Sequence, residues 1–236
     1  MGGDSQLEEG ESMADSMAAP GASTREASEG DLGRQVLRVA WMSILLGLLL
    51  EVVLLCLAAY AGTAGASPRP FLADLTQKVS WAFIVCVGLA FGSTAAQARS
   101  GVMGLLGLIS APVGFAVARS LHKGVTQALG MAAAGGAFPF LVAGLKAIEY
   151  GILGGVVGYL TRRKDGSTAP LSRFLLAGTA VGLTFGAAIT AALLSAAAKA
   201  PTLLDVAGKG INELLFPIGC SLVLYASNVL GKRLGG

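Results

Sequence analysis

Three lysines and three glutamates, Lys78, Lys146, Lys209 and Glu51, Glu149, Glu213, stand within or beside long apolar stretches of this chain. A charged side chain near a bilayer centre costs about 2.5–3.5 kcal/mol on insertion scales, so such residues usually face a bundle interior or a water-filled path. Lys146 and Glu149 lie three apart and Lys209 and Glu213 four apart, spacings that put each pair on one helix face. These two glutamates therefore read either as members of intrahelical ion pairs or as carboxylates of an ion path. Glu51 has no charged residue within a helical turn of it, which makes it the stronger candidate for a proton or cation site, or for a neutral acid bonding across helices. Asp74 with Lys78 and Asp205 with Lys209 are acid-first i,i+4 pairs near helix starts, where the dipole favours the acid. The lysines either snorkel to headgroups as anchors or form an anion-attracting ring at the mouth of a path.

Other chemistries are poorly served. No Ser/His/Asp, Cys/His or paired-aspartate arrangement can be assembled, and no P-loop or dinucleotide fingerprint occurs, so no catalytic residue is assigned and an enzyme is not expected. His122 is the single histidine, which argues against a zinc, haem or di-iron centre, so no metal or cofactor is expected. Cys56, Cys86 and Cys220 all fall in apolar segments without metal-ligand spacing and read as buried thiols. Basic residues gather at helix ends rather than in a stripe, against nucleic acid as a partner.

The elements that must position the charged residues follow from composition. Of the 236 residues 54% are hydrophobic and only 13% charged, well below the roughly 25% of ordinary soluble domains. The apolar segments are continuous rather than alternating, which points to helices and away from a β-barrel. Thirty-four glycines suit helices packed backbone to backbone. The expected fold is an all-α polytopic membrane protein of about six transmembrane helices, spanning residues 34–236 after an acidic, disordered tail over residues 1–33.

The spans are expected over 35–61, 70–99, 102–117, 139–163, 171–198 and 201–233. Residues 120–138 are left between spans, as an interfacial helix or a re-entrant segment. Ridges of small residues run along three of the spans: Gly88, Gly92, Ala96; Gly151, Gly155 with Gly154, Gly158; and Gly178, Gly182, Gly186, Thr190. They read as packing seams. The Thr184, Thr190 and Ser195 hydroxyls are expected to bond carbonyls of their own helix.

The entrances to the even-numbered spans resemble one another. PFLADLTQK (70–78), PFLVAGLK (139–146) and PTLLDVAGK (201–209) share Pro, Leu and Lys in order, within one residue of the same spacing. Three two-helix repeats, over about 34–99, 100–163 and 170–233, would bring Lys78, Lys146 and Lys209 to similar depth at one end. Basic residues at helix ends are more numerous on the side of the termini, which predicts both termini in the cytoplasm, in a plasma or inner membrane. Together these readings favour a small transporter or channel for an ion or small solute, with Glu51, Glu149 and Glu213 along its path and the lysines at its outer mouth. The alternative is a non-transporting scaffold or assembly subunit that recruits a protein partner through the acidic tail.

Overall fold

The computed structural model describes residues 21–63, 67–93, 99–132, 140–161, 169–195 and 200–234, with side chains for all of these except 21–31, 99 and 232–234. Residues 1–20 of the tail, Ala96, the entrance Pro139 and the basic run 162–164 lie outside the described residues. The chain forms six helices, α1 (Gly21–Tyr60), α2 (Arg69–Ser93), α3 (Arg99–Ala128), α4 (Phe140–Thr161), α5 (Leu171–Ser195) and α6 (Leu203–Leu234). Each is long and apolar enough to cross a membrane, and the protein is an all-α six-helix membrane protein. The chain divides into two units, Met1–Arg34 and Gln35–Gly236. Of the first, the backbone from Gly21 onward is helical, as the start of α1.

α3 is longer than the sequence suggested. Residues 119–128 are neither a re-entrant segment nor a separate interfacial helix but the last turns of α3, which runs through Pro112 without stopping. The polar side chains in these turns serve the helix: Ser120 donates to the Ala116 carbonyl at 2.9 Å and Thr126 to the His122 carbonyl at 2.7 Å. The break comes at Gly130, in the left-handed region with φ 70°, where Met131 N–H donates back to the Thr126 carbonyl. α1 ends the same way at Gly62, φ 68°, with Thr63 N–H on the Ala58 carbonyl. Both are glycine-terminated caps that satisfy carbonyls left over by the last turn.

Within the second unit α2, α4 and α6 touch one another, and each odd-numbered helix packs across a pair of them. α1 lies on α2 through Gly47 and Val79 and on α6 through Leu46 and Gly219; α3 bridges α2 and α4; α5 bridges α4 and α6. Neighbours are antiparallel, so α2, α4 and α6 run parallel. Apolar side chains such as Leu45, Leu49, Leu105, Leu176 and Leu183 point outward, as does Trp41. Inside a bilayer this outward face meets lipid, and association rests on close packing rather than on the hydrophobic effect.

Glycine permits that packing. A Cβ on Gly92 would lie 2.7 Å from the Met103 Cα, one on Gly178 2.7 Å from the Ile218 Cα, and one on Gly182 2.8 Å from the Leu214 carbonyl oxygen. Gly107 and Gly154 press even more closely on the backbones of Tyr150 and Met103. Ser100 adds a hydrogen bond from α3 to the Gly155 carbonyl of α4 at 2.7 Å, and Gln35 one from α1 to Ser93 of α2 at 2.8 Å. Gly178→Ala should therefore force α5 from α6 and cost about 1–3 kcal/mol. Gly144→Ala, with nothing within 4 Å of the new methyl group, should be neutral or gain up to about 1 kcal/mol from helix propensity. Melting the two variants side by side in detergent checks the contrast; equal midpoints would mean that the α5 and α6 seam is looser than described.

Candidate functional site

The closest glycine contacts tighten the half of the bundle that holds the last turns of α2 and α4 and the first turns of α3 and α5. In the other half, the first turns of α2 and α6 and the last turns of α3 and α5 carry larger and charged side chains, and the helices enclose a cavity of about 440 Å³. All six helices contribute to its wall, from Leu54 of α1 to Leu193 of α5. Asp74, near the start of α2, lines the cavity and keeps 48% of its side chain exposed.

The floor is aromatic. Trp81 of α2, 5% exposed, makes edge-to-face contacts with Phe115 of α3, Tyr150 of α4 and Phe216 of α6, at centroid distances of 6.3, 5.5 and 6.4 Å. One ring thus ties α2, α3, α4 and α6 together at the cavity wall. The Lys146 ammonium stands 4.7 Å above the same ring, a cation–π arrangement that partly offsets the loss of its water.

Among the six residues singled out from the sequence, Lys78, Lys146, Lys209 and Glu213 line the cavity. The other two stand behind it. Glu51 is buried against α2, where its carboxylate pairs with the Lys78 ammonium. Glu149 is 1% exposed, and neither of its carboxyl oxygens has a hydrogen-bond partner among the described residues.

The pairings differ from those expected along single helices. Lys146 does not pair with Glu149; it crosses from α4 to α6 and donates to Glu213 at 2.5 Å, with both side chains 6% exposed. Lys209 consequently does not hold Glu213. Asp74 meets His122 of α3 at 3.1 Å and leaves Lys78 to Glu51. Asp205 accepts hydrogen bonds from Thr202, from the backbone N–H at 2.9 Å and the hydroxyl at 2.7 Å, while the Asp205 N–H donates to the Thr202 hydroxyl at 3.2 Å. That reciprocal cap at the start of α6 occupies the acid expected to pair with Lys209. Lys78, Asp74 and Lys146 thus each pair across to a facing helix, which holds two helices together, whereas Asp205 is taken by a local cap.

Two further expectations are corrected. Cys56 is exposed on α1 rather than buried, while the Cys86 and Cys220 thiols do lie buried, with their sulfur atoms 3.0 Å apart between α2 and α6. Thr184 and Ser195 bond carbonyls of their own helix at 2.8 and 3.0 Å, but the buried Thr190 hydroxyl has no partner among the described residues.

Sequence reasoning passed over Trp81, Gln77, Arg119 and Asn212, all on the cavity wall. A signal for two of them was present: Asp74, Lys78 and Trp81 fall at i, i+4 and i+7, and Lys209, Asn212 and Phe216 at i, i+3 and i+7, each set marking one helix face. Among the described residues no group of three or more His, Cys, Asp or Glu side chains is arranged to hold a metal ion. No protein-family model, curated protein or solved structure matches this chain.

Proposed function

We propose that this protein is a small transporter or channel that passes an ion or small solute through its six-helix bundle. The observation that carries the reading is the cavity of about 440 Å³ inside membrane-spanning helices, lined by Lys78, Lys146, Lys209 and Glu213. A bundle that served only to hold a partner would gain nothing from placing charged side chains around an internal void, at the desolvation cost such groups carry. Its volume falls in the range of about 300–1,000 Å³ typical of small-molecule sites. The parallel inner helices α2, α4 and α6, each giving a lysine to the wall, support three two-helix repeats as the origin of the site. In this reading both termini are cytoplasmic, and the cavity faces the opposite side, accessible to solute from outside. The glycine-packed half and the Trp81 cluster are the closed gate.

Thiol accessibility tests this reading. In a background without Cys56, Cys86 and Cys220, a cysteine at Ala118, 1% exposed but on the cavity wall, should react with a charged, membrane-impermeant thiol reagent added outside intact cells. A cysteine at Leu105, on the outward face of α3, should not. Labelling of Ala118→Cys only from the cytoplasmic side would reverse the orientation. No labelling from either side would sink the path and favour the alternative, a scaffold whose acidic tail recruits a protein partner.

A further inference from the structure

Two reactive groups that the cavity does not use face each other close to it. Cys86 of α2 and Cys220 of α6 are each 1% exposed, and their sulfur atoms stand 3.0 Å apart although 134 residues separate them in the chain. Cys86 follows Trp81 by five residues and Cys220 follows Phe216 by four. The pair therefore lies about 6–7.5 Å along the parallel helices from the ring contact that joins α2 to α6. Between Phe216 and Cys220 stands Pro217, which has no N–H to give the Glu213 carbonyl. The backbone of α6 is thus least held between the residues that line the cavity, Lys209, Glu213 and Phe216, and the thiol that meets α2.

Among the described residues no third His, Cys, Asp or Glu side chain is arranged with these thiols to hold a metal ion. The sulfurs need to approach by about 1 Å to reach bonding distance, a gap that rotation of two side chains closes. We infer that Cys86 and Cys220 are a redox pair whose oxidation to a disulfide clamps α2 to α6 beside the cavity. The clamp stands whether the bundle passes a solute or holds a partner. Thiols buried among apolar side chains are out of reach of charged oxidants, so the oxidant is an organic hydroperoxide, ROOH, dissolved in the lipid. It meets the pair as α2 and α6 part. One thiol attacks the terminal peroxide oxygen: an S–O bond forms, the O–O bond breaks, and the thiol proton leaves with the alkoxide as ROH. The second thiol then attacks the resulting sulfenic acid, forming the S–S bond and releasing water. Two electrons pass from the two sulfurs to the peroxide, and a dithiol reductant reverses the change by exchange.

Cys56→Ser removes the exposed thiol and leaves only the pair. The full-length Cys56→Ser protein in lipid nanodiscs is treated with cumene hydroperoxide, denatured, alkylated with N-ethylmaleimide and weighed by mass spectrometry without reduction. The untreated chain should take up two alkylating groups. The treated chain should take up none and be lighter than the unmodified chain by two hydrogen atoms, still as a single chain. Joining residues so far apart in sequence should also raise the melting midpoint by about 5 °C or more, a gain that dithiothreitol removes. Cys86→Ser and Cys220→Ala, each in the same background, should show no such rise on treatment. Two alkylating groups still taken up after peroxide, a disulfide between two chains, thiols that gain oxygen without joining, or a joined pair that leaves the midpoint unchanged would each overturn the inference.

Discussion

Glu213→Leu is expected to be the most destabilising single substitution in the charged half of the bundle, lowering the melting midpoint in detergent by about 10 °C or more. The reason lies in what it leaves behind. Lys146 is 6% exposed and its ammonium has Glu213 at 2.5 Å and the Trp81 ring at 4.7 Å. Removing the carboxylate strands a buried cation, for which about 3–5 kcal/mol is typical, and in a protein of this size each kcal/mol moves the midpoint by about 2–4 °C. The double variant Lys146→Met with Glu213→Leu removes both charges and should recover most of the loss, because a pair replaced by apolar groups of similar volume is often neutral. Glu51→Leu makes a useful comparison. Its partner Lys78 keeps 14% of its side chain exposed and lines the cavity, so its ammonium can turn toward water, and the loss should be smaller. A Glu213→Leu midpoint within about 2 °C of wild type would show that Lys146 is not held as described.

The second large effect has the opposite sign. Glu149→Met should raise the melting midpoint by several degrees, since Glu149 is 1% exposed and neither carboxyl oxygen finds a donor among the described residues. A buried polar group without a partner costs about 1–3 kcal/mol, and methionine is of similar length and flexible enough to fill the same space. Thermal unfolding followed by size-exclusion fluorescence reads the shift. A marked fall in midpoint would mean that the carboxyl is bound by something that the bundle packing alone does not reveal, and Glu149→Gln would then separate hydrogen bonding from charge.

Much of the architecture was legible in the chain itself, for reasons particular residues make plain. Continuous apolar runs of bilayer length marked all six spans, though not the start of α1 or the end of α3, because in lipid every backbone polar group has to be satisfied within its own segment. The step of four through Gly178, Gly182 and Gly186 marked a seam that is now seen against Ile218, Leu214 and Glu213. Where the reading fell short, the signal was local and the decision was not. The glycine-rich stretch between Arg119 and Pro139 suggested an interruption, yet residues 119–128 simply extend α3. Cys56 sits in an apolar run like Cys86 and Cys220, and periodicity along α1 did not reveal that its face points outward.

What the sequence by itself determined is the class of protein, its helices, and which few side chains would carry charge among them. Pro, Leu and Lys recur in order in the entrances that end at Lys78, Lys146 and Lys209, and all three lysines line one cavity. What only the tertiary structure decided is who meets whom: Lys146 with Glu213, Lys78 with Glu51, Asp74 with His122, and Trp81 beneath them all. Spacing along one helix reports which residues share a face, but a buried charge selects its partner by distance and geometry across the bundle. Those are properties of six helices packed together and are not present in any one of them.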